Sequence, residues 1–263
     1  MQNSNQPIHY LHVTSSHSEE NHGSVIVETP VSLTVNGELW LTLNCTPADL
    51  EALAVGFLFN EGLLFSADDV ADIRVCPQGD NVDIWLHHPV EKPSSWRRTS
   101  GCTGGVTGLA SEAENQNPIN EDNIQLTPTA LCDLMSQLLE AQSLYRQSGG
   151  IHTSALSDGR RILVVAEDIG RHNTLDKIAG KCLLEGKLIN PGIILSTGRI
   201  SSDMLQKSAR IGACMVISRT AASYLAIQMA ESRGITLIGY TRRDRFNIYT
   251  HAQRIILPVT ARV

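Results

Sequence analysis

The chain has 263 residues, of which 42% are hydrophobic and 18% charged, so it is long enough to bury a sizeable core and has the composition of an ordinary soluble globular protein. No apolar run is long enough to span a bilayer and the first 22 residues lack the hydrophobic stretch of a signal peptide, so we expect a cytoplasmic protein that works without a membrane. The net charge is -6. The chain has six cysteines but no Cys-x-x-Cys pair, which argues against a disulfide framework, a zinc ribbon and a dithiol of the thioredoxin type.

The N-terminal part predicts a tail followed by a small α+β domain. Residues 1–22 carry four histidines among Ser, Asn and Gln without regular ligand spacing, so a flexible, solvated tail is favoured over a metal site. Asn36-Gly37 lies between two segments of alternating polarity and predicts a hairpin. Thr46-Pro47 predicts a helix start with Thr46 as the cap. With strands expected over residues 72–76 and 82–87, this domain covers residues 23–111.

The second part predicts an α/β domain over residues 123–263. The acidic stretch 112–122 contains Pro118 and is the predicted linker. Thr127-Pro128 opens a long amphipathic helix that is expected to end at Gly149-Gly150. Strands are then predicted over residues 162–166, 192–196, 213–218 and 235–239, and helices over residues 174–185, 202–211 and 221–233. This βαβ order predicts a layered domain with a largely parallel, buried sheet.

Cys102 is the candidate for thiol chemistry. It lies in the segment Ser100-Gly101-Cys102-Thr103-Gly104-Gly105, where dense glycine disfavours helix and strand and predicts an irregular loop. The other five cysteines lie in or beside apolar runs, where sulfur serves as a small hydrophobe. Arg97 and Arg98 precede the loop and could favour a thiolate.

Two strand-to-helix turns predict an anion or nucleotide crevice. Carboxyl ends of strands open onto ligand crevices in α/β sheets, and helix N-termini there attract anions. The polar residues of these turns are Arg171, His172 and Asn173 in the first, and Ser196, Thr197, Gly198, Arg199 and Ser201 in the second. The alternative is that Asn173, Ser201 and Ser202 only cap helices. In that case Arg171 and Arg199 would be solvated.

A third cluster follows the last predicted strand. It consists of Tyr240, Thr241, Arg242, Arg243, Asp244 and Arg245. An aromatic ring beside arginines could stack a base and hold a diphosphate, but a charged surface loop is an equal alternative. Residues 131–263 hold 17 Lys and Arg against 10 Asp and Glu, and these basic residues are dispersed, so a phosphorylated small molecule is favoured over nucleic acid.

The sequence lacks the motifs of several enzyme classes. A P-loop, a Gly-x-Gly-x-x-Gly turn and the zinc deaminase signature are all missing, so we expect no P-loop NTPase, no Rossmann dehydrogenase and no catalytic metal. A cysteine hydrolase would need a histidine near Cys102, for which His152 and His172 are only formal candidates. His152 could equally be a satisfied core histidine. The roles of Asp168, His172 and Lys177, in proton transfer or in shaping the crevice, stay open.

Together these segments resemble the FdhD family, the formate dehydrogenase accessory sulfurtransferases. The resemblance runs from about residue 24 to residue 258 and rests on residues 46–64, the SGCTGG loop, GGIHTSAL at 149–156, EDIGRHNTLDK at 167–177, STGRISSDMLQKSARIG at 196–212 and residues 240–251. It implies that the protein takes persulfide sulfur from a cysteine desulfurase and passes it to a molybdenum or tungsten bis(guanine dinucleotide) cofactor that formate dehydrogenase needs. It also implies a homodimer, and a cytidine deaminase-like three-layer C-terminal domain without zinc.

By the same resemblance, Cys102 would carry the persulfide and residues 240–245 would hold the guanine nucleotide part of the cofactor, where a GDP-like nucleotide could also bind. Some members of the family have Cys-x-x-Cys in the loop, whereas this chain has Gly105 at the second position. A relay through one cysteine is therefore predicted. The alternative is a chaperone without enzymatic activity that binds and delivers the cofactor but transfers no sulfur.

Overall fold

The computed structural model describes residues 3–94, 96–98, 106–107, 124–187 and 191–257. Cys102 and the predicted linker 112–122 lie outside the described residues.

The chain begins with a hairpin where the sequence predicted a flexible tail. β1 (Asn5–Val13) pairs antiparallel with β2 (Ser18–Ile26), and the Thr14 amide closes the turn by donating to the His17 carbonyl at 2.8 Å. The tail prediction relied on polar composition and overlooked residues such as Ile8 and Val13, whose β-branched side chains favour strands.

A four-stranded sheet and one helix follow. The sheet has the order β4-β3-β6-β5. Its strands and the helix are β3 (Thr29–Val35), β4 (Glu38–Cys45), α1 (Leu50–Asn60), β5 (Val70–Val75) and β6 (Asn81–Leu86). The predicted hairpin at Asn36-Gly37 is confirmed, and both residues have the positive φ that a type I′ turn requires. The prediction that Thr46 caps the helix is wrong, because α1 begins only after Asp49, which has a left-handed backbone and no side-chain cap.

Two short strands lie before and after Cys102 in the sequence. β7 (Arg97–Arg98) pairs antiparallel with β8 (Val106–Thr107), with residue 98 opposite residue 106. The residues that connect these strands carry Cys102.

The second part contains a six-stranded mixed sheet of order β10-β9-β11-β12-β13-β14. Its strands are β9 (His152–Ser157), β10 (Ile162–Asp168), β11 (Gly192–Ser196), β12 (Ala213–Ser218), β13 (Thr236–Gly239) and β14 (Asn247–Ile248). β11, β12 and β13 are parallel, whereas β9 runs antiparallel to both β10 and β11, and β14 antiparallel to β13. The sheet is therefore less parallel than predicted, because the unpredicted β9 lies between β10 and β11.

Helices cover both faces of this sheet. They are α2 (Pro128–Glu140), α4 (Arg171–Leu184), α5 (Ser202–Arg210) and α6 (Tyr224–Ser232). The short helix α3 (Leu144–Ser148) instead contacts β1 and β2. Ile193 and Leu195 of β11 pack in the core formed with α2, while Ile194 packs in the core that includes α4, α5 and α6. Side chains of one strand therefore point to helices on both faces, in agreement with the layered α/β domain that the βαβ order predicted. No helix in the described ranges is long and apolar enough to cross a membrane.

The long helix predicted from Thr127-Pro128 to Gly149 is divided in two. Its start is confirmed, since the Thr127 side chain accepts from the Ala130 amide at 3.2 Å. The division is explained by the Glu167 carboxylate, which accepts from the amides of residues 143, 144 and 145 at 2.8–3.1 Å. A carboxylate at this position favours a new helix start, because free amides there carry partial positive charge.

Two glycines let α1 and α4 pack backbone to backbone. A Cβ atom built on Gly56 would lie 1.7 Å from the Asp176 carbonyl oxygen, and one built on Gly180 would lie 1.9 Å from the Ala52 carbonyl oxygen. One hydrophobic core therefore extends from the four-stranded sheet, through α1 and α4, to the six-stranded sheet. The two predicted domains share this core.

We expect Gly56→Ala and Gly180→Ala each to lower the free energy of unfolding by about 3 kcal/mol or more, because the helices must separate to admit a methyl group. Urea unfolding followed by circular dichroism measures this change. Glu51→Ala, on the exposed side of α1, is the control and should change stability by about 0.5 kcal/mol or less. Equal effects of the three substitutions would contradict a close helix crossing.

Candidate functional site

The three predicted clusters lie at one edge of the six-stranded sheet. β10, β11, β12 and β13 all end there, and because β9 runs the other way, its first residue His152 lies there too, opposite Asp168. Backbone hydrogen bonds join the strand ends: the Arg219 amide donates to the Ser196 carbonyl at 3.0 Å, and the Thr241 amide to the Ser218 carbonyl at 3.1 Å. The expectation that the turns meet at this edge is confirmed.

Gly198 is the point where the first two turns touch. A Cβ atom at this position would lie 2.9 Å from Cβ of Arg171 and 3.4 Å from Nδ1 of His152. The Gly198 amide donates to Ser196 Oγ at 3.1 Å, and its carbonyl accepts from Ser218 Oγ at 2.8 Å. Only glycine fits, so this residue allows close packing of the turns.

Burial divides the predicted site residues into two groups. The buried ones are Arg171, His172, Asn173, Ser196, Gly198, Ser201 and Thr241, while Thr197 is half-buried and the exposed ones are Arg199, Tyr240, Arg242, Arg243, Asp244 and Arg245. For Ser201 the capping alternative applies, since its hydroxyl accepts from the Met204 amide at the start of α5. The exposed group forms the surface of this edge that a dissolved molecule meets.

Asp168 and Lys177 form an ion pair of 2.6 Å with both side chains fully buried. Lys177 Nζ also donates to the carbonyls of Thr46 and Glu167, at 3.1 and 3.2 Å. Asp168 accepts from the amides of Thr46 and residue 170 and from the Asn173 side chain, at 2.7–3.0 Å. Protein groups surround both charges, so the pair joins β10, α4 and the segment before α1 from inside the molecule.

A second buried ion pair joins α4 to α5. Lys207 of α5 is 2.6 Å from Asp176 of α4, and Asn60 of α1 donates to the same carboxylate at 2.8 Å. The three helices are thus joined by charge-assisted contacts in addition to the hydrophobic core.

Two histidines at this edge are held neutral. Burial, followed by the positive charges of Lys207 and Arg171, lowers the pKa of His172 from 6.5 to about 2. Its Nε2 lies 3.3 Å from Ser201 Oγ, so His172 serves as a neutral hydrogen-bonding group. Burial and Arg171 also lower the pKa of His152, which is half-buried at the edge. The sequence left His152 open between a formal catalytic candidate and a core histidine, because its position depends on the unpredicted strand β9.

Tyr240 has an unusual backbone conformation for a residue with a side chain. Its φ is +53°, and its amide is fixed by the Thr220 carbonyl at 2.9 Å, while its ring is 48% exposed. Such conformations cost free energy and cluster at functional sites. The Arg242 guanidinium donates to the carbonyls of Arg219 and Thr241, which orders the loop that carries the other arginines. The resulting surface offers an aromatic face and guanidinium groups, which suit a base and phosphates.

The described cysteines are unsuited to nucleophilic chemistry. Cys45, Cys132, Cys182 and Cys214 are buried, and Cys76 is half-buried beside Asp80. Burial raises the pKa of Cys45 to about 12 and that of Cys182 to about 11. The thiols of Cys45 and Cys182 stay protonated, in agreement with the small-hydrophobe role predicted for them.

Comparison with known proteins identifies the family. The family model described as "FdhD/NarQ family" matches residues 26–256. The chain belongs to the FdhD/NarQ family.

Curated relatives in this family carry the name Sulfur carrier protein FdhD. The relative from Bacillus subtilis (strain 168) is 36% identical over 235 residues, which cover 88% of this chain and 90% of the relative. The relative from Staphylococcus aureus (strain MRSA252) is 34% identical over 239 residues, covering 88% and 89%. A crystal structure from Desulfotalea psychrophila, assigned as a formate dehydrogenase accessory protein, is similar with a TM-score of 0.80 at 28% identity and covers 97% of this chain and 100% of that chain.

We expect Lys177→Met to lower the free energy of unfolding by about 3–5 kcal/mol, because the Asp168 carboxylate would be left buried without its partner. Lys181→Met, one turn later on α4, is a matched control: Lys181 pairs with Asp49 at 2.7 Å in a partly exposed position, so its loss should cost about 1 kcal/mol or less. Chemical unfolding of both variants measures the difference. Equal costs would contradict the central role assigned to the buried pair.

Proposed function

We propose that this chain is a sulfur carrier in the maturation of formate dehydrogenase, and that it transfers persulfide sulfur to a molybdenum or tungsten bis(guanine dinucleotide) cofactor bound as its substrate. The names of the curated relatives and the description of the similar crystal structure support this role. The structural observation that carries the proposal is the exposed Tyr240 and arginine surface at the carboxyl edge of the sheet.

The nucleotide part of the substrate would bind at this surface. Tyr240 presents a half-exposed ring on a fixed backbone, which would stack on guanine. Arg199, Arg243 and Arg245 are exposed and would contact the phosphates, since the guanidinium fork matches phosphate oxygens. The buried turn residues Arg171, His172 and Asn173 would position this surface rather than contact the nucleotide.

The sulfur would travel through Cys102. In the loading step, the Cys102 thiolate attacks the outer sulfur of a persulfide on a cysteine desulfurase, an S–S bond forms to Cys102, and the desulfurase cysteine leaves as a thiolate. Delivery of that sulfur as sulfide consumes two electrons. Because Gly105 stands where some relatives have a second cysteine, an external thiol reductant would supply them.

The proposal extends to features that the family resemblance implies. The protein would act in the cytoplasm as a homodimer, with a cysteine desulfurase and formate dehydrogenase as partners. The second part of the chain would correspond to a cytidine deaminase-like arrangement without zinc, which suits its helices on both faces of a mixed sheet.

A cofactor chaperone that transfers no sulfur is the alternative. It shares the nucleotide surface with the proposed carrier, so nucleotide binding supports both functions. Only the requirement for the Cys102 thiol separates them.

We expect Tyr240→Ala to weaken GDP binding about tenfold or more, because stacking of one base on an aromatic ring contributes about 1–3 kcal/mol. Isothermal titration calorimetry of the full chain measures this. Tyr224→Ala is the control, since Tyr224 is 75% exposed on α6 and should leave the affinity unchanged. If both variants bind GDP as tightly as the unmodified chain, the Tyr240 surface is not the base site.

We expect Cys102→Ala to abolish activation of formate dehydrogenase and to remove the mass increase of about 32 Da that one sulfur adds when the protein is incubated with a desulfurase and cysteine. Cys76→Ala is the control. Cys76 is the half-buried thiol among the described cysteines, and we expect it not to be needed for activation of formate dehydrogenase. A Cys102→Ala protein that still yields active formate dehydrogenase would favour the chaperone.

A further inference from the structure

The N-terminal hairpin brings two histidines together. His9 of β1 and His22 of β2 lie directly opposite each other in the strand register, and both are exposed. Their ring centroids are 4.1 Å apart with an interplanar angle of 75°. Both precede residues 26–256, the part of the chain that the family model matches, so the proposed sulfur transfer does not account for them.

This arrangement meets the requirements of a chelate. Residues directly opposite in an antiparallel pair have Cβ atoms about 4.5–5.5 Å apart, and neutral imidazole binds divalent transition metals at about 2.0–2.1 Å from nitrogen. Because both rings are exposed, small rotations of the side chains turn one nitrogen of each ring toward a shared ion. We propose that His9 and His22 form a two-histidine site for a divalent transition-metal ion of the Cu²⁺, Ni²⁺ and Zn²⁺ class.

The surroundings suit such an ion. Glu20 lies two residues before His22 and so projects from the same face of β2, where its carboxylate offsets the charge of a cation. Within the described ranges, no group of three or more His, Cys, Asp or Glu side chains is arranged to hold a metal. The two imidazoles are therefore the protein ligands of this site, and water completes the coordination.

Metal binding would act on the hairpin itself. A two-stranded hairpin is only marginally stable alone, and most residues of β1 and β2 are exposed. It contacts α3, where Asn5 donates to Gln147 and a shallow groove of about 440 Å³ runs between Tyr10 and Gly23 on one side and residues 146–149 on the other. An ion bound across the strands stabilises the paired state by mass action, and so keeps the hairpin on α3.

Titration of the full chain with Ni²⁺, followed by the imidazole signals in NMR spectra, tests the proposal. We expect saturable binding of one ion at the hairpin, with shifts at His9 and His22, and at least about tenfold weaker binding in His9→Ala and in His22→Ala. Two histidines of the same hairpin are matched controls that should keep the affinity: His12 projects from the opposite face of β1, opposite Glu19, and His17 lies in the turn beside Thr14.

A second measurement follows the hairpin directly. Bound Ni²⁺ should slow limited proteolysis in the turn between β1 and β2 in the unmodified chain and in His12→Ala, but not in His9→Ala. The proposal is wrong if the unmodified chain shows no saturable shift of His9 and His22, or if His12→Ala and His17→Ala weaken binding as much as the proposed ligand variants. Because these readouts do not involve sulfur transfer, their outcome is independent of the proposed function.

Discussion

Lys177 and Asp168 are both fully buried, and their contact of 2.6 Å determines how the rest of the site is held. Removing two charges from water costs several kcal/mol per ion, which their attraction offsets only with good geometry and further hydrogen bonds. Thr46 supplies two of these bonds, its carbonyl accepting from Lys177 and its amide donating to Asp168. The pair therefore fixes the segment before α1 against the end of β10 and the first turn of α4. A weaker ion pair would loosen the segment before α1 and the first turn of α4.

The packing of α1 on α4 is a second constraint on this part of the molecule. Gly56 and Gly180 allow the backbones to touch, and the Asp176–Lys207 pair, with Asn60, joins the adjoining helix α5. The loop that begins at Tyr240 is held by other contacts: the Tyr240 and Thr241 amides donate to the carbonyls of Thr220 and Ser218, which follow and end β12. Its exposed side chains therefore stand on a fixed backbone.

Local patterns predicted much of the fold, and long-range contacts account for the errors. β11 and β12 were predicted with their observed ends because both are short, continuous apolar runs between turns. β9 was missed because it carries buried Ser and Thr, whose hydroxyls bond inside the core, as Ser154 does to Thr174 and Ser196. Thr46 looked like a helix cap, yet its hydroxyl accepts from the Ile169 amide, 123 positions along the chain. Such a partner leaves no trace in the neighbouring sequence.

The predicted polar turns lie together at one edge of the sheet, but the sequence did not show which of their charges are neutralised, because it gives the charges and not their partners. The excess of Lys and Arg after residue 130 suggested attraction for an anion. Lys177 and Lys207 do not contribute to it, because each is buried against a carboxylate. His172 adds no charge either, since burial, with Lys207 and Arg171, lowers its pKa to about 2. In the proposed function, the attraction for phosphate at this edge would come from the exposed guanidinium groups, among them Arg199, whose field is screened by salt because water surrounds them.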